Sequence, residues 1–293
     1  MKLIVDSGST KTAWRLWLGG TRFHDVETVG INPVRDDLAS IQRVVGLVAR
    51  GFESDLLLPS GAPFSTAAVD EVFFYGAGCI APYSESVWCC LSDAFPQAKV
   101  SVESDLLGAA RALCGREEGI ACILGTGSNS CLYDGERIVE NVSPLGWILG
   151  DEGSGAVLGR LFVGNVLKRQ FHPALCRSFL KYHRLTLEEI IERVYRQPQA
   201  NRFLASFVPF IANVQDDHDV RKFLLREFRN FFKRNVAGYK RPDLPVNFVG
   251  GVAGAFEKIL KEAAERERFI FGIVERSPIE RICSYHIDLP AAE

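Results

Sequence analysis

One pattern occurs twice in this chain. An apolar run, Lys2–Val5, leads into the polar loop Asp6-Ser7-Gly8-Ser9-Thr10-Lys11-Thr12, and a second run, Ala13–Leu18, ends at Gly19-Gly20. At Ile120 the order returns: Ile120–Leu124, then Gly125-Thr126-Gly127-Ser128-Asn129-Ser130, then Cys131-Leu132-Tyr133 and the tight turn Asp134-Gly135. Each passage reads as strand, Gly/Ser/Thr loop, strand and turn. The two share little identity but the same order of elements, and a repeat of this length is a duplicated domain rather than a solenoid. The chain of 293 residues is therefore expected to form two α/β halves of like topology, residues 1–115 and 116–293, with the last helix able to pack back on the first half.

Composition narrows the class. Hydrophobic residues make up 47% and charged residues 24%, which is globular composition. The net charge of −2 recruits neither nucleic acid nor an acidic membrane. Apolar runs fall short of the ~18 residues of a membrane span. Met1–Val5 runs into Asp6 before any signal-peptide apolar region forms, so a cytoplasmic protein is expected. The eight cysteines, at 79, 89, 90, 114, 122, 131, 176 and 283, show no Cys-x-x-Cys pair and read as reduced, buried thiols. The five histidines show no ligand spacing and read as surface or structural residues.

Between and after the repeats, strands are predicted at Arg22–Val29, Glu71–Tyr75, Lys99–Val102, Val246–Val249 and Phe269–Val274. Helices are predicted at Asp36–Ala49, Ser84–Phe95, Asp105–Leu113, Ala253–Glu267 and Pro278–Tyr285. Leu56–Ala67 reads as a loop, and Glu152–Tyr239 as mostly helical. Thr186-Leu187-Glu188-Glu189 fits a capping box. Asp219–Val236, with Phe223, Phe228, Phe231 and Phe232 among Arg and Lys, reads as an amphipathic core helix.

Four glycine-rich breaks carry candidate chemistry: Asp6–Thr12, Gly125–Ser130, Gly146–Gly155 and Gly250–Gly254. Such turns leave backbone N–H groups free to point at an anion, and Ser or Thr hydroxyls add donors. Lys11 is the one cation of the first loop, and Asp6 offers a carboxylate at a strand end where hydrated Mg²⁺ could bridge to phosphate. Two such loops facing each other would clamp a polyphosphate. There is no Gly-x-x-x-x-Gly-Lys-[Ser/Thr], no Gly-x-Ser-x-Gly and no His-Glu-x-x-His, and Ser130 stands where a dinucleotide fingerprint needs its third glycine. Asp105 opens a helix after a strand. It either accepts a proton from a hydroxyl that attacks phosphorus or, with Ser104, merely caps that helix; spacing leaves both readings open. Trp147 could stack on a sugar or pack in the core. Asp151 and Glu152 could bind hydroxyls or a metal, or favour a helix N-terminus.

Taken in order over nearly the whole chain, Asp6–Thr12, Leu124–Asn129, Leu145–Gly155 and Phe248–Phe256 resemble the BadF/BadG/BcrA/BcrD-type ATPase family of the sugar kinase/Hsc70/actin superfamily, and within it the N-acetylglucosamine kinases. Gly146-Trp147-Ile148-Leu149-Gly150-Asp151-Glu152-Gly153-Ser154-Gly155 is the most specific stretch. The resemblance implies two ribonuclease-H-like (actin-like ATPase) domains with a nucleotide cleft between them, using ATP and Mg²⁺. Asp6, Gly8, Ser9, Thr10 and Lys11 would be the first phosphate loop, and Gly125, Thr126, Gly127, Ser128 and Asn129 the second. Gly250, Gly251 and Gly254 would lie against adenosine, and Asp105 would be the catalytic base. Asn32, Gly146, Trp147, Asp151 and Asp105 would contact the sugar. The sequence departs from the family at Glu280-Arg281 in the closing helix and in the stretch Phe52–Val69.

The expected function is an ATP-dependent kinase of an N-acetylated hexosamine, with no nucleic-acid or membrane partner, and the resemblance implies a homodimer. Domains of this kind are expected to close on sugar and nucleotide together, excluding water. Two alternatives stand beside it. An ATPase that activates a partner enzyme carries a different second phosphate loop and a cysteine-held iron–sulfur cluster, for which no cysteine pair is evidently placed. A non-catalytic sugar- or nucleotide-binding regulator has no need of Asp105.

Overall fold

The computed structural model describes residues 1–58 and 61–287. Pro59 and Ser60 of the predicted loop at 56–67, and residues 288–293 of the predicted second half, lie outside the described residues. The chain divides into two units, one of residues 1–115 with 278 onward, the other of residues 116–277.

The first unit holds β1 (Lys2–Ser7), β2 (Lys11–Gly19), β3 (Arg22–Val29), α1 (Leu38–Asp55), β4 (Glu71–Gly76), α2 (Ser84–Ala94), β5 (Lys99–Ser104), α3 (Asp105–Cys114) and the closing helix Ile279–His286. Its five strands lie in the order β3-β2-β1-β4-β5. β1, β2 and β3 form an antiparallel meander, and β1, β4 and β5 run parallel. Period-two alternation sends neighbouring residues of β1 to opposite faces. Leu3 and Val5 join Trp14, Val72, Phe74 and residues of α1 and α2 in one core. Ile4 joins Tyr75, Ala112, Ile279, Ile282 and Cys283 in a second. The closing helix thus docks on α3 and β1 through its isoleucines despite Glu280-Arg281.

The second unit repeats the plan. It holds β6 (Gly119–Leu124), β7 (Ser128–Tyr133), β8 (Ile138–Glu140), α4 (Gly146–Leu149), α5 (Gly155–Leu167), α6 (Pro173–His183), α7 (Leu187–Tyr195), α8 (Ala200–Ala205), α9 (Val208–Asn213) and α10 (His218–Arg234). β9 (Pro245–Val249), α11 (Gly251–Ala255), α12 (Glu257–Arg266) and β10 (Ile270–Glu275) complete it, and Ile279–His286 of the first unit is α13. The sheet order is β8-β7-β6-β9-β10, antiparallel through β6–β7–β8 and parallel through β6, β9 and β10, as in the first unit. The duplication read from the two opening passages is therefore a duplication of topology.

α10 buries Phe223, Phe228, Phe231 and Phe232 and is the core helix its pattern predicted. The capping box at Thr186 is present with both hydrogen bonds. The predicted helix Ala253–Glu267 is two helices, because Phe256 leaves the helical path to pack against Phe228. Among the cysteines, Cys89 is exposed and Cys114 half-buried, which corrects the reading of all eight as buried thiols. Cys89 lies on the outer face of α2, whereas Cys90 beside it faces the core. Among the described residues no helix is long and apolar enough to cross a membrane.

Candidate active site

In the first unit the three parallel strands end together: Ser7, Gly76 and Ser104 are in register across β1, β4 and β5. Asp6 precedes that rung and Asp105 follows it. The loop between β1 and β2 is shorter than predicted, because Asp6 and Ser7 still belong to β1 and Lys11 and Thr12 already to β2. Only Gly8, Ser9 and Thr10 form the turn, closed by the Gly8 N–H donating to the Lys11 carbonyl at 2.9 Å. The segment after β3 supports it from beneath. Gly30 N–H donates to the Thr10 carbonyl at 3.0 Å, and a Cβ on Gly30 would come within 2.3 Å of the Gly8 oxygen. Lys11 points outward and pairs with Glu27 at 2.8 Å.

Ser104 and Asp105 divide the start of α3 between them. The Ser104 hydroxyl caps α3 by accepting from Leu107 N–H at 3.2 Å. Asp105 is the first helical residue, and its carboxylate takes hydrogen bonds from the N–H groups of Leu106 and of Asp105 itself. Burial outweighs those bonds and raises its pKa from 3.8 to about 6. Asp6 is raised further, to about 7, by burial and then by the charge of Asp105, against a smaller opposing effect of Lys11. Two neighbouring acids that each resist ionisation fit a divalent cation, whose charge would remove the penalty. Asp6 is the carboxylate that could hold such an ion through water. Among the described residues no cluster of three or more His, Cys, Asp or Glu could hold a metal ion.

Asn32 sits in a turn just past Gly30. Its Oδ1 accepts from Val34 N–H at 3.1 Å, and its own N–H donates to Asp36 at 2.7 Å. Gly78, at φ 78°, leaves room for it, since a Cβ there would lie 2.4 Å from Asn32 Oδ1.

In the second unit the corresponding hairpin is Gly125–Gly127, with Ser128 and Asn129 already in β7. Gly155 N–H donates to the Gly125 carbonyl at 2.8 Å and Ala156 N–H to that of Thr126 at 3.1 Å, which ties the hairpin to the start of α5. Asn129 Oδ1 accepts from Ser130 N–H and from Asn141. Asp151, buried and at φ 52°, takes a hydrogen bond from Ser128 N–H. Burial, only partly offset by that bond, raises its pKa to about 6. Gly127 is not in the positive-φ region; its constraint is Asp151, whose Oδ2 would lie 3.2 Å from an added Cβ. Asp151 thus supports the second hairpin, a link that spacing did not reveal.

Residues 145–150 form a closed excursion. Asp151 N–H donates to the Pro144 carbonyl at 2.8 Å, and Gly150 is pressed on that carbonyl so closely that a Cβ would lie 2.0 Å away. Gly146, at φ 74°, is exposed, and Trp147 packs partly into the core. Glu152 is drawn away to Arg234 at 2.7 Å and Asn235 at 3.3 Å. At the end of β9, Gly250 has φ 124° and lies on the Leu124 carbonyl, while Gly254 lies under the Arg276 side chain. Only Gly251 of these three opens on space. Packing thus accounts for Gly250 and Gly254 independently of any ligand.

Two sheets of one topology, each with a glycine-rich hairpin at the end of its central strand, define the actin-like sugar-kinase fold. A structure from Porphyromonas gingivalis described as a "putative N-acetylglucosamine kinase" is 44% identical, with 98% of each chain covered and a TM-score of 0.89. The chain belongs to the N-acetylglucosamine kinase-like family of that fold. A protein of the same description from Chromobacterium violaceum is 20% identical over 97% of this chain and 98% of that one, with a TM-score of 0.70. A ROK family glucokinase from Streptomyces griseus, in complex with glucose and AMPPNP, shares the fold at 15% identity over 96% and 98%, with a TM-score of 0.57. No family model and no curated protein matches the chain.

Proposed function

We propose that the protein is an ATP-dependent kinase that phosphorylates a hydroxyl of an N-acetylated hexosamine, N-acetylglucosamine in the first instance. The observation that carries this reading is Asp105, a carboxylate whose capping duty is taken by Ser104 and whose burial raises its pKa to about 6. Such a group is ionised near neutral pH yet more basic than an ordinary aspartate, as a proton acceptor should be. The kinship with the Porphyromonas protein supports the substrate class.

In this reading Asp105 takes the proton of the sugar hydroxyl while that oxygen forms its bond to the γ-phosphorus and the bond to the ADP oxygen breaks. Phosphoryl transfer asks for positioning and charge stabilisation rather than covalent help from protein. Gly8 and Gly125 would close the two turns with their own N–H groups, leaving backbone N–H groups of Ser9 and Thr10 and of Thr126 and Gly127, with the Ser128 hydroxyl and the Lys11 ammonium once it leaves Glu27, as donors to phosphate. Asn129 would border the second loop, and Gly250, Gly251 and Gly254 the adenosine. Asp6 would hold hydrated Mg²⁺, which when bound lowers the charge on the phosphates. Asn32, through its amide nitrogen, Gly146, Trp147 and Asp151 would contact the sugar.

The test is ADP release with Mg·ATP in the presence and absence of N-acetylglucosamine, N-acetylmuramic acid, N-acetylmannosamine and glucose. Strong stimulation by an aminosugar with stoichiometric sugar phosphate supports the reading. ATP turnover indifferent to every sugar overturns it in favour of an ATPase acting on another protein.

A further inference from the structure

Two buried hydroxyls join the first hairpin to the segment that carries Asn32. Ser7 and Thr12 are paired on the last rung of β1 and β2, both fully buried, with their oxygens 2.7 Å apart. Ile31 N–H donates to Ser7 Oγ at 3.0 Å. Thr12 Oγ1 donates to the Val29 carbonyl at 3.0 Å. Each hydroxyl has one proton to share, Thr12 between the Val29 carbonyl and Ser7, and Ser7 between the Ile31 carbonyl at 3.1 Å and Thr12. A chain of hydrogen bonds therefore runs from Ile31 through Ser7 and Thr12 to Val29, clasping residues 29–31 from both sides. Gly30, between them, bears directly on the hairpin at Gly8 and Thr10.

We propose that Ser7 and Thr12 are positioning residues that hold Asn32 in register with the Gly8–Thr10 hairpin, so that the acceptor sugar is aligned with the phosphoryl donor. The proposal rests on the kinase reading for the roles of Asn32 and the hairpin. Being fully buried, the two hydroxyls touch neither ligand, so they act through the segment they clasp. A small shift of a binding group is enough to lose alignment in a transfer reaction. Asn32 follows Ile31 directly, so slack in the clasp is passed to it at once.

Three variants test this: Thr12→Val, which keeps shape but removes the hydroxyl, Thr12→Ser, which restores it, and Ser7→Ala. Steady-state kinetics are paired with amide hydrogen exchange at Gly30 and Ile31. Thr12→Val and Ser7→Ala are expected to raise the aminosugar KM by about 5–20-fold, with the ATP KM moved less than about twofold. Thr12→Ser should return the sugar KM to within about twofold of the wild type. Ile31 should exchange at least about tenfold faster in Ser7→Ala, while the β6–β7 amides of the other unit keep their protection. If Ser7→Ala does not fold, Thr12→Val and Thr12→Ser carry the kinetic test and exchange at Gly30 replaces that at Ile31. Equal changes in both KM values, no change in either, or failure of Thr12→Ser to restore the sugar KM would overturn the proposal. A wild-type protein that phosphorylates no aminosugar defeats the kinase reading instead. The clasp is then judged by hydrogen exchange alone, and unchanged protection of residues 30 and 31 overturns it.

Discussion

The carboxylates of Asp6 and Asp105 work against each other. Burial first, and then the charge of Asp105, raise the Asp6 pKa from 3.8 to about 7. They come from either side of the shared rung at the ends of β1 and β5, and the three parallel strands fix that proximity before any ligand binds.

Ser104 and Asp105 should separate stability from chemistry. Asp105→Asn should lower kcat by ~10²–10⁴ through loss of the proton acceptor, with nucleotide affinity little changed. Ser104→Ala should leave kcat within a few-fold but cost about 1 kcal/mol through the lost cap, roughly 2–4 °C in Tm for a chain of this size. Calorimetry and kinetics on the two variants check this. An Asp105→Asn enzyme of near wild-type activity returns Asp105 to a helix-start role.

Acidity should act on stability and rate in opposite senses. Asp6, Asp105 and Asp151 have raised pKa values, so between their ordinary value of 3.8 and about 6–7 the folded chain holds protons that the unfolded chain has released. Stability from these groups is full below pH 3.8 and declines as pH rises through 6–7. Asp37, lowered by its bonds to Ser40, acts the other way but only below the ordinary range. The ligand-free protein should therefore lose Tm between pH 5 and 7.5, and Asp6→Asn should flatten that slope. Phosphoryl transfer should fall as pH drops below about 6, where Asp105 takes up its proton. A rate that rises on acidification contradicts its role as base.

Gly127 should be limited by Asp151 rather than by backbone strain. An added methyl meets the carboxylate at 3.2 Å, which must then move and loosen its bond from Ser128 N–H. Gly127→Val should abolish ATP binding with the fold retained, and Gly127→Ala should weaken it about 3–10-fold. Combined with Asp151→Ala, the loss from Gly127→Ala should shrink, a non-additivity expected of touching residues. Strict additivity in titration calorimetry would count against the contact.

The acceptor should be recognised by its N-acetyl group. An amide partner left unpaired in the site costs ~1–3 kcal/mol, so glucose should be poorer than N-acetylglucosamine by roughly 10–100-fold in kcat/KM. Equal use of the two sugars would assign recognition to the ring hydroxyls alone.

Much of this architecture was legible from residue patterns, and the exceptions have physical causes. Strands such as Glu71–Gly76 and helices such as α10 announce themselves because burial dictates their period. The glycine-rich breaks were visible too, but the reasons for several of their glycines were not. Gly250 and Gly254 answer to Leu124 and Arg276, neighbours that only folding supplies. Ser7 and Thr12 looked like further loop donors. Alternation could have corrected that, since Leu3, Val5 and Ser7 share one face of β1 and the first two are core residues. The break at Phe256 was hidden because the strong helix-forming run Glu257–Arg266 follows it directly, and the aromatic contact with Phe228 is remote along the chain.

The helix Ile279–His286 completes the apolar layer formed by Ile4, Tyr75 and Ala112, although the whole of the second unit is translated in between. On the ribosome, then, the unit made first is not the first that can be finished. Residues 116–277 can fold as soon as they emerge, while the sheet begun at Lys2 waits with one greasy face uncovered until Ile279 and Ile282 arrive. A nascent chain stalled before residue 279 would keep Ile4, Tyr75 and Ala112 without the cover that Ile279 and Ile282 give them.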